Sequence, residues 1–122
     1  MNWFVEFCNE FEQEFEAMAE AVQDELLAQL RLLERFGPEL GRPQVGTLND
    51  SKHANMKELR FKADDGVWRV AFAFDPERKA ILLVGGDKSG GSERKFYKAL
   101  IKRADVRFDR HLSLPKKGKD NG

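Results

Sequence analysis

Three strand-like segments separated by two tight-turn signals restrict the fold more than any other feature of this chain. Residues 56–63, 67–74 and 80–86 are rich in β-branched, aromatic and other apolar residues. The turn sequences DDG at 64–66 and DPER at 75–78 separate them. Because such short connections join antiparallel neighbours, the sequence predicts a three-stranded meander. The third segment is continuously apolar, which indicates a central strand or one covered on both faces.

A strand and a helical region precede the meander. Residues 3–8 (WFVEFC) predict a first strand. Apolar residues then recur at helical spacing, predicting a helical hairpin or one bent helix from about residue 10 to residue 36. Asn9 is the expected N-cap, with Glu12 completing a capping box. Gly37 and the proline after it end the helical pattern.

A loop and a last helix complete the order of elements. Residues 37–55 hold three glycines and two prolines, which is loop composition, and the loop is long enough to be functional. Ser92 is the expected N-cap of a helix that ends before Pro115. The order β-α-α-β-β-β-α predicts one α+β domain over residues 1–112, with helices packed on a mainly antiparallel sheet. Residues 113–122 are predicted to form a disordered basic tail.

The charged residues are unevenly distributed although the formal net charge is zero. Residues 1–41 hold ten acidic and two basic residues, whereas residues 42–122 hold eleven acidic and nineteen basic ones. Two interpretations stay open for this asymmetry. It can reflect solvated helix faces, or a basic surface that meets phosphate or an acidic protein.

The expected compartment is the cytoplasm. The chain has one cysteine, Cys8, so no internal disulfide can form. We expect Cys8 to be packed and inert rather than a catalytic thiol. The first residues lack the basic region of a signal peptide, and no apolar run approaches the roughly 18 residues needed to span a bilayer.

The strand period of two places a group of charged side chains together. In the second meander strand the large apolar residues point one way, and Arg69 points the other way with small alanines. Aligning the first meander strand by its apolar residues puts Glu58 and Arg60 on the side of Arg69. We therefore expect an open sheet face carrying these three residues, with Lys88 and Tyr97 on its rim. Arginines there suit an RNA phosphate, and the alternative is a surface salt-bridge ladder across strands.

Other chemical motifs are weak. The two histidines stand alone, without the spacing of a metal site, and the paired glycines form neither a P-loop nor a dinucleotide fingerprint. The sequence thus predicts no metal and no cofactor. His53 lies in a polar loop, where it can act as an acid or base, contact phosphate when protonated, or simply be an exposed loop histidine.

Four segments, taken in order, resemble one known family. They are SKHANMKELRF (51–61), GVWRVAFAFDP (66–76), ILLVGGDKSG (81–90) and FYKALIKRAD (96–105). Their order and spacing are similar to the phage-derived, Gp49-like HigB toxins of the RelE/ParE superfamily. The resemblance implies a RelE-like fold and a ribosome-dependent endoribonuclease that needs no metal or cofactor. In such enzymes the messenger's 2′-hydroxyl attacks the adjacent phosphate.

The resemblance also implies a partner. Toxins of this type are held inactive by an antitoxin, usually one with a helix-turn-helix DNA-binding domain, in a toxin–antitoxin hetero-oligomer. Two other functions stay open for the same fold. One is a ParE-like toxin that binds DNA gyrase and cuts nothing, and the other is a binding module without catalysis.

Residue roles follow from the resemblance by position. Arg69 matches the family's strand arginine, and Lys88 lies near the basic residue after the last strand, although a lysine lacks the bidentate fork of arginine. Tyr97 lies near a tyrosine that can stack on a base. Glu58 stands where the RelE type carries a basic residue, and it acts as a general base or neutralises Arg60. The candidate catalytic residues are Arg69, Lys88, Tyr97, Arg60 and Glu58, and the candidate RNA-binding residues are Lys52, His53 and Lys57.

Overall fold

The fold consists of three helices on a five-stranded sheet. The structure is a computed structural model that describes residues 2–115. The strands follow the order β1-β5-β4-β3-β2, with β1 parallel to β5 and the other neighbours antiparallel. The elements are β1 (Phe4–Phe7), α1 (Asn9–Glu16), α2 (Glu20–Phe36), a 3-10 turn (Gly37–Glu39), β2 (Val45–Thr47), β3 (Lys57–Ala63), β4 (Gly66–Phe74), β5 (Lys79–Asp87) and α3 (Glu93–Leu112).

The α+β class and the meander are confirmed, and the predicted strand ends differ from the observed ones by at most one residue. Most of the predicted basic tail, residues 116–122, lies outside the described residues. No helix within residues 2–115 combines the length and apolar character needed to cross a membrane.

The prediction that residues 37–55 form only a loop is wrong, because β2 lies within them. β2 pairs with β3 and makes a fifth strand at the edge of the sheet, with Val45 opposite Leu59 and Gly46 opposite Glu58. A Cβ on Gly46 would lie 3.1 Å from Oε2 of Glu58, so the glycine lets this edge lie close against the carboxylate. Three residues are too few to show a period of two, and this strand exists only because β3 offers it an edge.

The N-terminal helical region is two helices, with the break at residues 17–19. The prediction that Asn9 is the N-cap of α1 is wrong. Cys8 holds that position without a side-chain cap, because its backbone N–H donates to Leu82 O at 3.0 Å and extends the β1 pairing by one residue. The expected cap of α3 is confirmed, since Ser92 Oγ accepts from the N–H of Lys95 at 3.2 Å.

The sheet is covered on both faces. The α1–α2 layer packs on the side of Leu59, Val70 and Phe72, and these residues form one buried core. Helix α3 packs on the other side against Ala71 and Ala73 in a second core. The expectation of an open face on Arg69's side is therefore wrong in part. The small alanines let α3 approach and cover this face, which buries Glu58 and Arg69 and leaves the Arg60 side chain about one third exposed.

Part of the charge asymmetry is neutralised inside the molecule. Arg107 of α3 donates to both carboxylate oxygens of Glu14 in α1, at 2.9 and 2.7 Å, and to Leu83 O. Arg110 pairs with Glu10 next to it. Cys8 lies at this seam, and burial raises the pKa of its thiol. A thiol that stays protonated fits the expected packing role.

Candidate active site

The sheet register brings the predicted charged residues together. Arg60 on β3 lies directly opposite Arg69 on β4, and Gly86 on β5 lies on the far side of Arg69. One row further along, Glu58 lies opposite Ala71. These positions share one face because side chains alternate along each strand.

Helix α3 adds a tyrosine to this face. A Cβ on Gly86 would lie 2.9 Å from Cε1 of Phe96, so the bare glycine lets the first turns of α3 approach β5 closely. The rings of Phe96 and Tyr97 pack edge to face with centroids 5.3 Å apart. Tyr97 is thereby held over the arginine row.

A hydrogen-bonded cluster results, which we call the Glu58–Tyr97–Arg69 cluster. The Tyr97 hydroxyl donates to Oε1 of Glu58 at 2.8 Å and accepts from Nε of Arg69 at 3.0 Å. Arg69 Nη1 also donates to Trp68 O at 2.9 Å. Nε of Arg60 lies 3.9 Å from Oε2 of Glu58.

Burial distinguishes this cluster from a surface ladder of ion pairs. Glu58 and Arg69 are only 6% and 7% exposed. Their direct ion-pair distance is 3.7 Å, longer than the two bonds through the tyrosine. Burial and the hydrogen bond to Glu58 raise the pKa of Tyr97, against the opposing effect of Arg69. The phenol therefore stays protonated at neutral pH and holds the Glu58 carboxylate and the Arg69 guanidinium in place.

The arrangement keeps free hydrogen-bonding capacity at Arg69. A guanidinium has more N–H donors than the bonds to Tyr97 and Trp68 use. Its orientation is set by those two bonds before any ligand arrives. An anion with several oxygens, such as a phosphate, can be bound by the remaining donors without reorganisation of the side chain.

Lys88 lies at the rim of the cluster. Its backbone N–H donates to Val67 O at 2.7 Å, which extends the β5 pairing and places Lys88 on the same face as Arg69. Its Nζ lies 3.3 Å from Oε1 of Glu93, and of this pair Glu93 is exposed and Lys88 is partly buried. Asp87 supports this position by accepting from the backbone N–H groups of Val67 and Ser89.

Lys62 is a cation of this face that sequence reasoning missed. It lies opposite Val67, in the same alternation as Glu58 and Arg60. Its side chain is exposed. The period of two that identified Glu58 and Arg60 would also have identified Lys62.

The candidate RNA-binding residues lie elsewhere. Lys52 and His53 both pair with Asp109 in the C-terminal half of α3, the histidine at 2.8 Å. The His53 ring also packs on Phe108, with centroids 4.9 Å apart. Lys57 lies opposite Phe72, in the alternation that faces the α1–α2 layer. The structure thus brings Glu58, Arg60, Arg69 and Tyr97 together, with Lys88 at the rim, and leaves the other three outside the cluster.

Within the described part of the chain, no group of three or more His, Cys, Asp or Glu side chains is placed to hold a metal ion. The cluster and its neighbours Arg60 and Lys88 supply cations, a phenol and one carboxylate.

Comparison with known proteins gives concordant matches. The family model of phage-derived Gp49-like proteins matches residues 13–109. The candidate toxin HigB3 of Mycobacterium tuberculosis is 52% identical over 82 residues, which cover 67% of this chain and 69% of HigB3. The candidate toxin HigB2 of the same organism is 44% identical over 89 residues. That match covers 72% of this chain and 44% of HigB2, so the chain spans under half the length of HigB2.

One solved structure shares the architecture. It is the Escherichia coli toxin RelE in the free state, as a double arginine-to-alanine mutant. The TM-score is 0.59 at 13% sequence identity, and the match covers 84% of this chain and 96% of that one. At this identity the likeness concerns the fold, and it confirms the expected RelE-like architecture.

Proposed function

The chain belongs to the family of phage-derived Gp49-like proteins, and we propose that it is the toxin of a type II toxin–antitoxin system that cleaves messenger RNA on the ribosome. The observation that carries this proposal is the buried Arg69 guanidinium, oriented by Tyr97 and Trp68 O beside further cations. The names of the M. tuberculosis relatives support the assignment as a toxin, and the RelE-like fold is compatible with it.

The reaction needs charge stabilisation more than covalent chemistry. The 2′-hydroxyl oxygen attacks the adjacent phosphorus, the bond from phosphorus to the 5′-oxygen breaks, and the products carry a 2′,3′-cyclic phosphate and a 5′-hydroxyl. The 2′-hydroxyl loses a proton and the 5′-oxygen gains one. Negative charge grows on the non-bridging phosphate oxygens in the transition state, where a fixed guanidinium stabilises it most strongly. We assign this role to Arg69, with Arg60 and Lys88 adding positive charge.

Lys88 and Tyr97 have separate parts in the proposal. Lys88 lies at the rim with its Nζ paired to Glu93, and in this proposal it adds positive charge and moves no proton. Tyr97, half-buried beside Phe96, orients Arg69 and offers a ring on which a base can stack.

Glu58 acts as a positioning residue in this proposal. Its Oε1 is already engaged by the tyrosine hydroxyl, and its side chain is almost fully buried. Those contacts favour holding Tyr97 and Arg69 in place over collecting the proton of the 2′-hydroxyl. The general-base role remains the competing assignment, and the two differ in pH dependence.

Two of the three candidate RNA-binding residues keep a binding role in this proposal, at a distance from the cluster. Lys52 and His53 anchor the loop before β3 to the C-terminal half of α3 through Asp109, so they shape the surface of that loop. Lys57 lies on the other face and has no part in the chemistry proposed here. The protein partner in this proposal is an antitoxin with a helix-turn-helix domain, bound in a toxin–antitoxin hetero-oligomer, and the working compartment is the cytoplasm, where ribosomes translate.

Primer extension on messenger RNA after induction of the protein tests the proposal. We expect new 5′ ends within codons that disappear in the double variant Arg69→Ala/Lys88→Ala. The matched control is Arg31→Ala/Arg35→Ala, which removes two exposed cations from α2 and should leave the cleavage intact. Intact messenger combined with inhibited DNA supercoiling would instead identify a ParE-like toxin. Unaffected growth with a well-folded protein would point to a binding module.

A further inference from the structure

Helix α3 has a second face, on the side turned away from the sheet. Its inner side buries Leu100, Ile101, Ala104 and Phe108 in the core. Lys95, Lys98 and Lys102 recur at three- and four-residue spacing on the outer side, and all three are exposed. They span about 10 Å of helix length, and Arg94 and Arg103 flank them. We call these five residues the α3 outer face.

The charges on this helix are not balanced. Each acidic residue of α3 has a partner outside the helix: Glu93 pairs with Lys88, Asp105 accepts from Ser51, and Asp109 binds the Lys52–His53 loop. In contrast, the five cations of the α3 outer face have no acidic partner among residues 2–115. The helix therefore presents a surface of one sign to its surroundings.

The opposite side of the molecule has the opposite sign. Helices α1 and α2, on the other face of the sheet, hold eight acidic and two basic residues. Only Glu10 and Glu14 of these acids are neutralised by α3. A polyanion such as RNA is thus attracted to one side of this protein and repelled from the other, which orients the molecule on approach.

We propose that the α3 outer face binds ribosomal RNA phosphates and holds the toxin on the ribosome, independently of the messenger strand at the Glu58–Tyr97–Arg69 cluster. The proposal rests on the function proposed above. Lysine side chains are typical of phosphate contacts. They are depleted at protein–protein interfaces, whose cores favour aromatic residues. The exposed apolar residues along this face are small, Ala99 and Val106, and no aromatic side chain lies among them. Since Tyr97 belongs to the same helix, RNA bound outside would fix the position of the cluster inside.

Binding to purified ribosomes that carry no messenger tests this directly, because the messenger strand then contributes nothing. The test variant is Lys98→Gln/Lys102→Gln, and the matched control is Arg31→Gln/Arg35→Gln on α2. Both pairs are exposed, four residues apart on a helix, and remove the same charge. Affinity is measured by co-sedimentation between 50 and 200 mM salt, with circular dichroism to confirm folding.

We expect weaker ribosome binding by the α3 variant and unchanged binding by the α2 control. Each phosphate contact makes the binding constant fall by an extra factor of roughly three between 50 and 200 mM salt. If the variant loses two contacts, the ratio of wild-type to variant affinity should therefore shrink by about ninefold over this range. Equal affinity of the α3 variant and wild type would overturn the inference, and so would equal weakening by both variants. An α3 variant that still binds ribosomes but no longer binds the antitoxin would assign this face to a protein partner. That result would also overturn the inference.

The same preparation separates this inference from the proposed function. The same ribosomes are then programmed with messenger, and its cleavage by the wild-type protein is followed. Absence of cleavage with normal salt-dependent binding would contradict the endoribonuclease and leave the binding face standing. Normal cleavage by the wild type, together with equal ribosome binding by the wild type and the α3 variant, would contradict the binding face and leave the endoribonuclease standing.

Discussion

Removing the Tyr97 hydroxyl tests the construction of the buried cluster. Tyr97→Phe deletes the one group that donates to Glu58 and accepts from Arg69, at 2.8 and 3.0 Å. Both partners are almost fully buried, so water cannot replace the hydroxyl easily. Hydrogen bonds to charged groups contribute about 1.5–3 kcal/mol each.

The loss should be smaller than the sum of the two bonds. Nε of Arg69 lies 3.7 Å from Oε1 of Glu58, so a shift of under about 1 Å would convert the bridged contact into a direct ion pair. We therefore expect Tyr97→Phe to lower the free energy of unfolding by about 1–2 kcal/mol, or the melting temperature by roughly 4–8 °C for a domain of this size. Glu58→Ala leaves a buried guanidinium without its carboxylate and should cost more, about 3–5 kcal/mol.

Thermal and urea unfolding of the two variants and wild type measure this order. Thr47→Val is the control for losing a hydroxyl, since Thr47 is exposed and its replacement should change stability by less than about 0.5 kcal/mol. A Tyr97→Phe protein as stable as wild type, or one less stable than Glu58→Ala, would refute the reasoning. The first result would mean that the hydroxyl does not join the two charged residues, and the second that no direct ion pair between Arg69 and Glu58 replaces it.

Two further predictions concern the carboxylates. Glu58→Gln should reduce cleavage on programmed ribosomes by less than about tenfold and keep the wild-type pH–rate profile, because the amide oxygen can still accept from Tyr97. A loss of about 10²–10⁴-fold, with the acid limb of the pH–rate profile missing, would instead identify Glu58 as a general base. Asp75 is buried, and burial by itself raises the pKa of its carboxyl. Hydrogen bonds outweigh this effect and lower the pKa; they come from His111 and from the backbone N–H groups of Lys79 and Glu77. Its ionised form therefore stabilises the fold above the ordinary Asp pKa of about 3.9, and this stabilisation is lost as the pH falls through the lower folded pKa. The stability gap between wild type and Asp75→Asn should be largest near neutral pH and shrink below about pH 4, and a gap that widens on acidification in urea unfolding would contradict the assignment.

The grouping of Glu58, Arg60 and Arg69 could be predicted from the sequence because the strand period is local. Two short turns determine which strands are neighbours, and the alternation of side chains then determines the face. The same alternation also places Lys62 on that face and Lys57 on the other.

The burial of the cluster could not be predicted, because it depends on contacts distant in sequence. Tyr97 reaches Glu58 only because α3 packs closely over Gly86. Lys52 and His53 were expected near RNA, yet Asp109, more than fifty residues away, binds both. Nothing in the local loop sequence indicates that partner.

The edge strand β2 illustrates a third reason. Val45, Gly46 and Thr47 carry no periodic pattern, and the glycine weakens any strand propensity. Pairing with β3 overrides this local preference. Short edge strands of this kind depend on tertiary context, so residue patterns do not reveal them.

The central claim is that a preorganised Arg69 stabilises charge on the phosphate of ribosome-bound messenger RNA. Single-turnover cleavage on purified, programmed ribosomes measures it, comparing wild type with Arg69→Ala and Arg69→Lys at matched fold content. We predict 2′,3′-cyclic phosphate ends with wild type, a rate lower by about 10²–10³-fold for Arg69→Ala, and partial recovery for Arg69→Lys, which keeps the charge but loses the fork. Cleavage at the wild-type rate by a folded Arg69→Ala protein, or no cleavage by wild type, would contradict the account.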